Sequence, residues 1–393
     1  MKWRRHRARF TGSFWDWRMP MRRTAAFKML FHDRAAAIGS ISGVIAIIFL
    51  VGQQLTIFFG LLTFMSSVVD ISGADIWVLS ENADNANSSG TVPASYRDRI
   101  IGVEGVDLVE PLILGGGLIR RDNGNYQAIQ IIGVKRPHLL GGPNRFHRGS
   151  IGDILDYEGV TVEYLELGTL DNPDIGSLFE INEERVRVRA ITRGVRGFSG
   201  NMVFTNLEKA RKLTGIPPDR YSSLLVTVRD HSRIEYMIRL LRTVLPRADI
   251  YSSDELSRMT KLYYLKNTGI GGSFGFSTLM GALVGVVIIA LTMYTNVMNK
   301  KRDYAMLRAL GGRKKDVLYI IFIQTIYIAF IGILIGFTLL SLFLLGTRDS
   351  NLPSYMPWWA PPIHALFTFI LCLFGSIIAM RRAVSIEPAT VFR

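Results

Sequence analysis

The chain has 393 residues, of which 49% are hydrophobic and 20% charged, with a formal net charge of +14 and one cysteine, Cys372. A single cysteine excludes an intrachain disulfide, and so positive a charge in a soluble protein would point to nucleic acid. The distribution argues against that: residues 1–34, 299–316 and 381–393 carry 20 Lys/Arg against five acids, while the remainder holds 26 basic and 27 acidic residues.

The apolar residues collect in four charge-free blocks, Ala35–Val69, Asn267–Asn299, Val317–Thr347 and Ser350–Met380. Uncharged apolar runs of about 18 residues or more read as membrane spans. Basic residues concentrated in three flanking segments follow the positive-inside rule, which places the N-terminus, the 299–316 loop and the C-terminus in the cytoplasm, N-in and C-in. The lipid bilayer is therefore the first expected partner, and nucleic acid is not one.

In chain order, residues 1–34 form a cytoplasmic basic arm with Trp3, Trp15 and Trp17, ending in an interfacial helix. Phe27, Leu30 and Phe31 share one face of that helix at i, i+3, i+4 spacing. Residues 35–69 form the first span and a stalk. They are too long for a signal-peptide core and are followed by no small-residue cleavage site. As helix they would extend roughly 50 Å at 1.5 Å per residue, beyond the bilayer core of about 30 Å. Gln53 and Gln54 are expected to face protein.

Residues 70–262 read as an extracytoplasmic α+β domain. Strands are predicted at Asp75–Ser80, Leu108–Arg120, Tyr126–Val134, Ser222–Val228 and Asp249–Tyr251. Asp122-Asn123-Gly124 is a hairpin signal between the second and third of these. Helices are predicted at Ala94–Val103, Leu207–Thr214 and Ser232–Leu245. The Gly-richer stretch 136–200 reads as a β-rich insertion between two strand–helix–strand units. Ser253-Asp254-Glu255 predicts a helix start leading into a stalk and second span over 263–298, with glycines 269, 271, 272 and 275 interrupting or tightening it. The third span is expected at 317–345, a short external loop at 346–359, the fourth span at 360–380 and a cytoplasmic tail at 381–393. His364 is placed near the outer interface. Glycines four apart in three spans, Gly39/Gly43, Gly281/Gly285 and Gly332/Gly336, suit close helix packing.

The 299–316 loop is the most informative segment. Tyr304, Met306, Leu307 and Leu310 fall within an arc of roughly 160° at 100° per residue, which predicts a short amphipathic helix. Gly311 and Gly312 stop it. Catalytic and metal-site patterns are missing from the sequence: no Walker A motif, no His-Glu-x-x-His, no Gly-x-Ser-x-Gly. No Asp, Glu, Lys or Arg lies mid-span, as an ion-coupled carrier would require.

The run Arg302-Asp303-Tyr304-Ala305-Met306-Leu307-Arg308-Ala309-Leu310-Gly311 resembles the segment after the second span of FtsX/MacB-like ABC permeases. Arg381-Arg382 and the tail through Pro388 resemble their C-terminus. Thr268 through Val297 is most similar to the DevC branch. The resemblance implies a ferredoxin-like external domain with a β-rich insertion. It implies a homodimer, each copy binding a cytoplasmic ATPase that uses ATP and Mg, with no cofactor held by this chain. It further implies mechanotransmission from the inner membrane to a periplasmic domain, with an adaptor protein and a TolC-like outer-membrane channel as partners for export. On this reading Asp303, Tyr304, Met306, Leu307, Arg308, Ala309, Leu310, Gly311 and Gly312 meet the ATPase, Tyr304, Leu307 and Leu310 by apolar contact and Arg308 by a polar one. Signalling to a periplasmic cell-wall hydrolase, and extraction of lipoprotein or lipid, share this architecture and stay open.

Overall fold

The computed structural model describes residues 24–384 apart from 25, 31, 33, 89, 122, 198, 199, 310 and 311. The Arg/Trp-rich arm, Phe31, Leu310, Gly311 and the tail from 385 lie outside the described residues. In chain order the elements are α1 (Arg34–Met65), α2 (Ser67–Asp70), β1 (Ile76–Ser80), β2 (Val92–Pro93), α3 (Ser95–Ile101), β3 (Val106–Arg120), β4 (Tyr126–Val134), β5 (Phe146–Arg148), β6 (Gly159–Glu163), β7 (Leu178–Ile181), β8 (Glu184–Thr192), β9 (Asn201–Asn206), α4 (Leu207–Thr214), β10 (Arg220–Tyr221), β11 (Ser223–Val228), α5 (Ile234–Val244), β12 (Ala248–Ser252), α6 (Ser253–Asn267), α7 (Ile270–Asn299), α8 (Lys301–Ala309), α9 (Lys314–Thr347) and α10 (Ala360–Val384). They divide into a helical unit, comprising residues up to Thr56, Phe274–Gly346 and those from Tyr355, and a β-rich unit of Ile57–Ser273 with Thr347–Ser354.

Four helices among the described residues are long and apolar enough to cross a membrane: Arg34–Met65, Ile270–Asn299, Lys314–Thr347 and Ala360–Arg381. In the helical unit α1 is the common neighbour, and the six paired glycines explain how. A Cβ on Gly285 would lie 2.0 Å from Ile47 Cγ1, and one on Gly43 would lie 2.8 Å from Ile288 Cγ2. Gly39 and Gly281 continue this seam with more room, at 3.9 Å from Thr292 and 3.4 Å from Val51. A second seam joins α1 to α9, where a Cβ on Gly332 would meet Val44 Cβ at 2.6 Å and one on Gly336 would meet Ile48 Cβ at 2.7 Å. Lipid gives no hydrophobic drive to such contacts, so dispersion at close approach holds them. His364, expected near the outer interface, packs against protein. It is buried, its Nε2 lies 3.0 Å from the Ile48 carbonyl, and Phe337 packs edge-on against it. Inside the bilayer an imidazole is driven towards a backbone partner, because water is unavailable to satisfy it.

The β-rich unit is built on two strand–helix–strand passes, β1-α3-β3 and β11-α5-β12. Their four strands lie side by side as β12-β1-β11-β3, all antiparallel. That order, fourth–first–third–second, is the ferredoxin-like arrangement. Strand β1 shows why both faces are covered. Ile76 and Val78 join Ile100 of α3 and Ile238 and Leu241 of α5 on one side, while Trp77 and Leu79 join Val68, Val69 and Leu256 on the other. The period of two thus supplies two cores from one strand.

The segment inserted between the passes runs from β4 through β10, wider than the predicted 136–200. Strand β3 extends past the ferredoxin-like part, turns at Asn123-Gly124 (φ +81° at Gly124) and returns as β4. From there the pairings run β4-β9-β6-β8-β7 and back to β3, where Ile119 opposes Ile181. Five strands of the insertion and the extended end of β3 therefore form a closed ring of six strands, which leaves few exposed edges. Its core holds Ile113, Ile129, Ile131, Val160, Val162, Val188 and Val203, with Leu207, Ala210 and Leu213 of α4 packed against it. Helix α4 starts at Asn206, whose side chain accepts from Lys209 N–H at 2.8 Å, and stops at Gly215 in the left-handed region (φ +71°).

The cap of α6 is Ser252, one residue before the predicted Ser253: its Oγ accepts from Glu255 N–H at 3.2 Å. Ser253 instead donates its hydroxyl to the Ala74 carbonyl. Between α6 and α7 only Gly269, of the four predicted glycines, takes a positive φ (+73°). It breaks the helix there, so the passage into the second span is jointed.

Candidate partner-docking helix

Helix α8 is the predicted amphipathic segment. It follows α7 after one residue and is closed by a tight turn into α9. Gly312 N–H donates to the Leu307 carbonyl at 3.0 Å, and a Cβ on Gly312 would sit 2.6 Å from that same oxygen. Only glycine closes the turn without displacing backbone. Leu310 and Gly311 lie outside the described residues.

The apolar arc does not point as expected. Tyr304, predicted to face a partner, is 1% exposed, and Ala305 beside it is fully buried. Both pack with Ala26, Leu30, Val297, Val317, Ile320 and Ile321. The Tyr304 hydroxyl donates to Gln324 Oε1 at 3.4 Å, and Gln324 Nε2 donates to the Ala26 carbonyl at 3.3 Å. Lys300, also buried, donates from Nζ to the Met29 carbonyl. These links fasten α8, the first turns of α9 and helical residues 26–30 into one block. Of the interfacial stripe predicted before the first span, Leu30 is fully buried in this block, whereas Phe27 stays half exposed against the Tyr327 ring at 5.7 Å.

The surface that α8 leaves open is formed by Lys301, Arg302, Asp303, Met306 and Ala309, with Met306 52% exposed. Leu307 and Arg308 are half-buried. Leu307 therefore serves the turn at Gly312 as much as any partner. Sequence reasoning missed Lys300 and Gln324. The usable signal was Gln324 itself, an amide inside a charge-free block.

Burial raises the Tyr304 pKa above the ordinary tyrosine value of 10.0. The sign follows directly. The unfolded chain loses the phenol proton first, so the folded state keeps its full contribution below pH 10 and loses it as pH rises above that. Thermal unfolding of the purified chain should show this alkaline loss, and Tyr304→Phe should flatten it. Tyr304→Ala, which empties the site, should cost about 3–5 kcal/mol, as large aromatic truncations in cores do.

A chain with four apolar membrane-length helices, a ferredoxin-like unit carrying a closed β insertion and a short amphipathic helix between its second and third apolar helices has the build of a membrane permease subunit. Residues 275–388 match the family described as FtsX-like permease C-terminal. This stretch is an FtsX-like permease domain, and the chain is homologous to an ABC transporter permease. The relative concerned, from Methanocaldococcus jannaschii and described as an uncharacterised ABC transporter permease, is 23% identical over 173 residues, and the match covers 42% of each chain. Among solved structures, the periplasmic region of MacB from Actinobacillus actinomycetemcomitans aligns with a TM-score of 0.38 at 13% identity, covering 48% of this chain and 92% of that one. The extracellular domain of YknZ from Gram-positive bacteria aligns with a TM-score of 0.34 at 12% identity, covering 45% and 98%.

Proposed function

We propose that this chain is the permease subunit of an ABC transporter and converts ATP hydrolysis by a separate cytoplasmic ATPase into movement of its β-rich domain. The observation that carries the reading is the division of α8. Its Tyr304 face is fixed into the permease, while its Met306 face, with Lys301, Arg302 and Asp303, is open to a partner. A helix anchored on one side and free on the other passes a push on its open face to the spans it is anchored in. ATP and Mg belong to the partner. The complex contains two copies of this chain in the inner membrane, and the domain in the periplasm drives export through an adaptor and a TolC-like channel, as in the DevC branch.

Co-purification tests this. The chain, tagged and extracted in mild detergent, is expected to bring down an ATPase and an adaptor. An ATPase alone would replace export by signalling or lipid extraction. Recovery of no ATPase, even after cross-linking in intact cells, would overturn the proposal.

A further inference from the structure

The eight residues Thr347–Ser354 join α9 to the approach of α10, yet they belong to the β-rich unit. Three features of that unit hold them. Arg196, on the connector between β8 and β9, is only 8% exposed and donates from Nη2 to the Asn351 carbonyl at 2.8 Å. The same guanidinium donates from Nε to Glu166 Oε1 at 3.0 Å and lies 4.8 Å from the Phe64 ring centre. Arg193, three residues earlier, pairs with Asp349. Behind the loop stands Gly60, in the part of α1 that belongs to the β-rich unit; a Cβ on it would lie 2.3 Å from the Pro353 carbonyl oxygen and 2.5 Å from its carbon. That is backbone against backbone, which no side-chain adjustment can relieve.

These contacts differ in weight. The Arg193–Asp349 pair is exposed, and such pairs contribute about 0–1 kcal/mol. Arg196 is buried, and its charge is balanced by Glu166. Its planar fork supplies donors enough to hold the carboxylate and a backbone carbonyl together. A loop whose only task was to reverse the chain between two spans would need neither the buried guanidinium nor the glycine behind it.

We infer that Arg196 and Gly60 make the loop between the third and fourth spans a tether, through which the β-rich unit is attached to that helical hairpin as well as to the first two spans. The inference deepens the proposed ATP-driven movement and rests on it for its consequence, though not for the tether's existence. When the β-rich unit moves, the hairpin is pulled through its own loop as well as through the spans that enter and leave the unit.

Hydrogen exchange on the full chain in detergent tests the attachment without any partner. In Arg196→Ala the backbone amides of residues 347–354 should exchange at least tenfold faster, with those of β1, β3 and β11 unchanged. Gly60→Val keeps the Arg196–Glu166 pair but thrusts a side chain at Pro353, and it should give the same loop-specific acceleration. Unchanged loop exchange in both variants would overturn the tether. The consequence is read in the ATPase complex in nanodiscs, as the ATP-dependent change in protease protection of the β-rich unit. Both variants should lose at least half of that change while ATPase rates stay within twofold. Fast loop exchange with a wild-type ATP response would overturn the transmission role. If no ATPase binds the wild-type chain, the proposed function falls, and the exchange result still decides whether the tether exists.

Discussion

Gly285→Val should leave little folded protein in the membrane. The first carbon of any side chain at this position would lie 2.0 Å from Ile47 Cγ1 and 2.5 Å from its Cδ1, and Ile47 is buried in the core of the helical unit. Overpacking a close-packed interior costs about 1–3 kcal/mol where neighbours can shift. Here the neighbour is a β-branched residue with a stiff χ1 on a helix held along a second seam by Gly332 and Gly336. The cost should therefore reach the upper end of that range or beyond it. Gly281→Ala, one turn away, meets Val51 at 3.4 Å and should be nearly neutral. Ile47→Ala in the Gly285→Val background should recover part of the loss, a coupling visible in a double-mutant cycle of detergent stability. Equal damage from Gly281→Ala and Gly285→Val, or no recovery with Ile47→Ala, would show that the seam is not where the stability lies.

If α8 docks an ATPase as proposed, Met306→Asp should release that partner from a chain that remains folded. Met306 is the large apolar side chain that α8 exposes, and a flexible thioether suits a docking pocket. Central apolar anchors at interfaces are worth 2 kcal/mol or more, so replacing one by a carboxylate should weaken binding at least about 30-fold. Thermal stability should not change, because the side chain makes no part of the Tyr304 core. Leu307→Asp is the less clean probe: Leu307 packs beneath Gly312 and its loss would disturb the turn itself. Retention of the ATPase by Met306→Asp would place the contact elsewhere on the loop.

The spans were legible because the bilayer demands contiguous apolar residues whatever the periodicity. The β3–β4 hairpin was legible from Asn123-Gly124, and α4 from the Gly215 stop. Other features depend on residues far apart in the chain. Periodicity showed that Tyr304, Met306 and Leu307 lie on one side of a helix, but not that Tyr304 would turn inwards to Gln324, since that depends on a different helix. Closure of the insertion rests on Ile119 opposing Ile181. The Arg196–Asn351 bond spans 155 positions and leaves no local pattern. The burial of His364 was not legible either, because position along a span indicates depth in the membrane, not which side of the helix meets protein.

The four charge-free blocks have an electrical consequence. Carrying one elementary charge through a potential of 100 mV exchanges about 2.3 kcal/mol with the field. No Asp, Glu, Lys or Arg lies within residues 35–69, 267–299, 317–347 or 350–380. Tilting or sliding of these helices therefore moves no such charge across the field, and their motion is insulated from the voltage of the membrane that contains them.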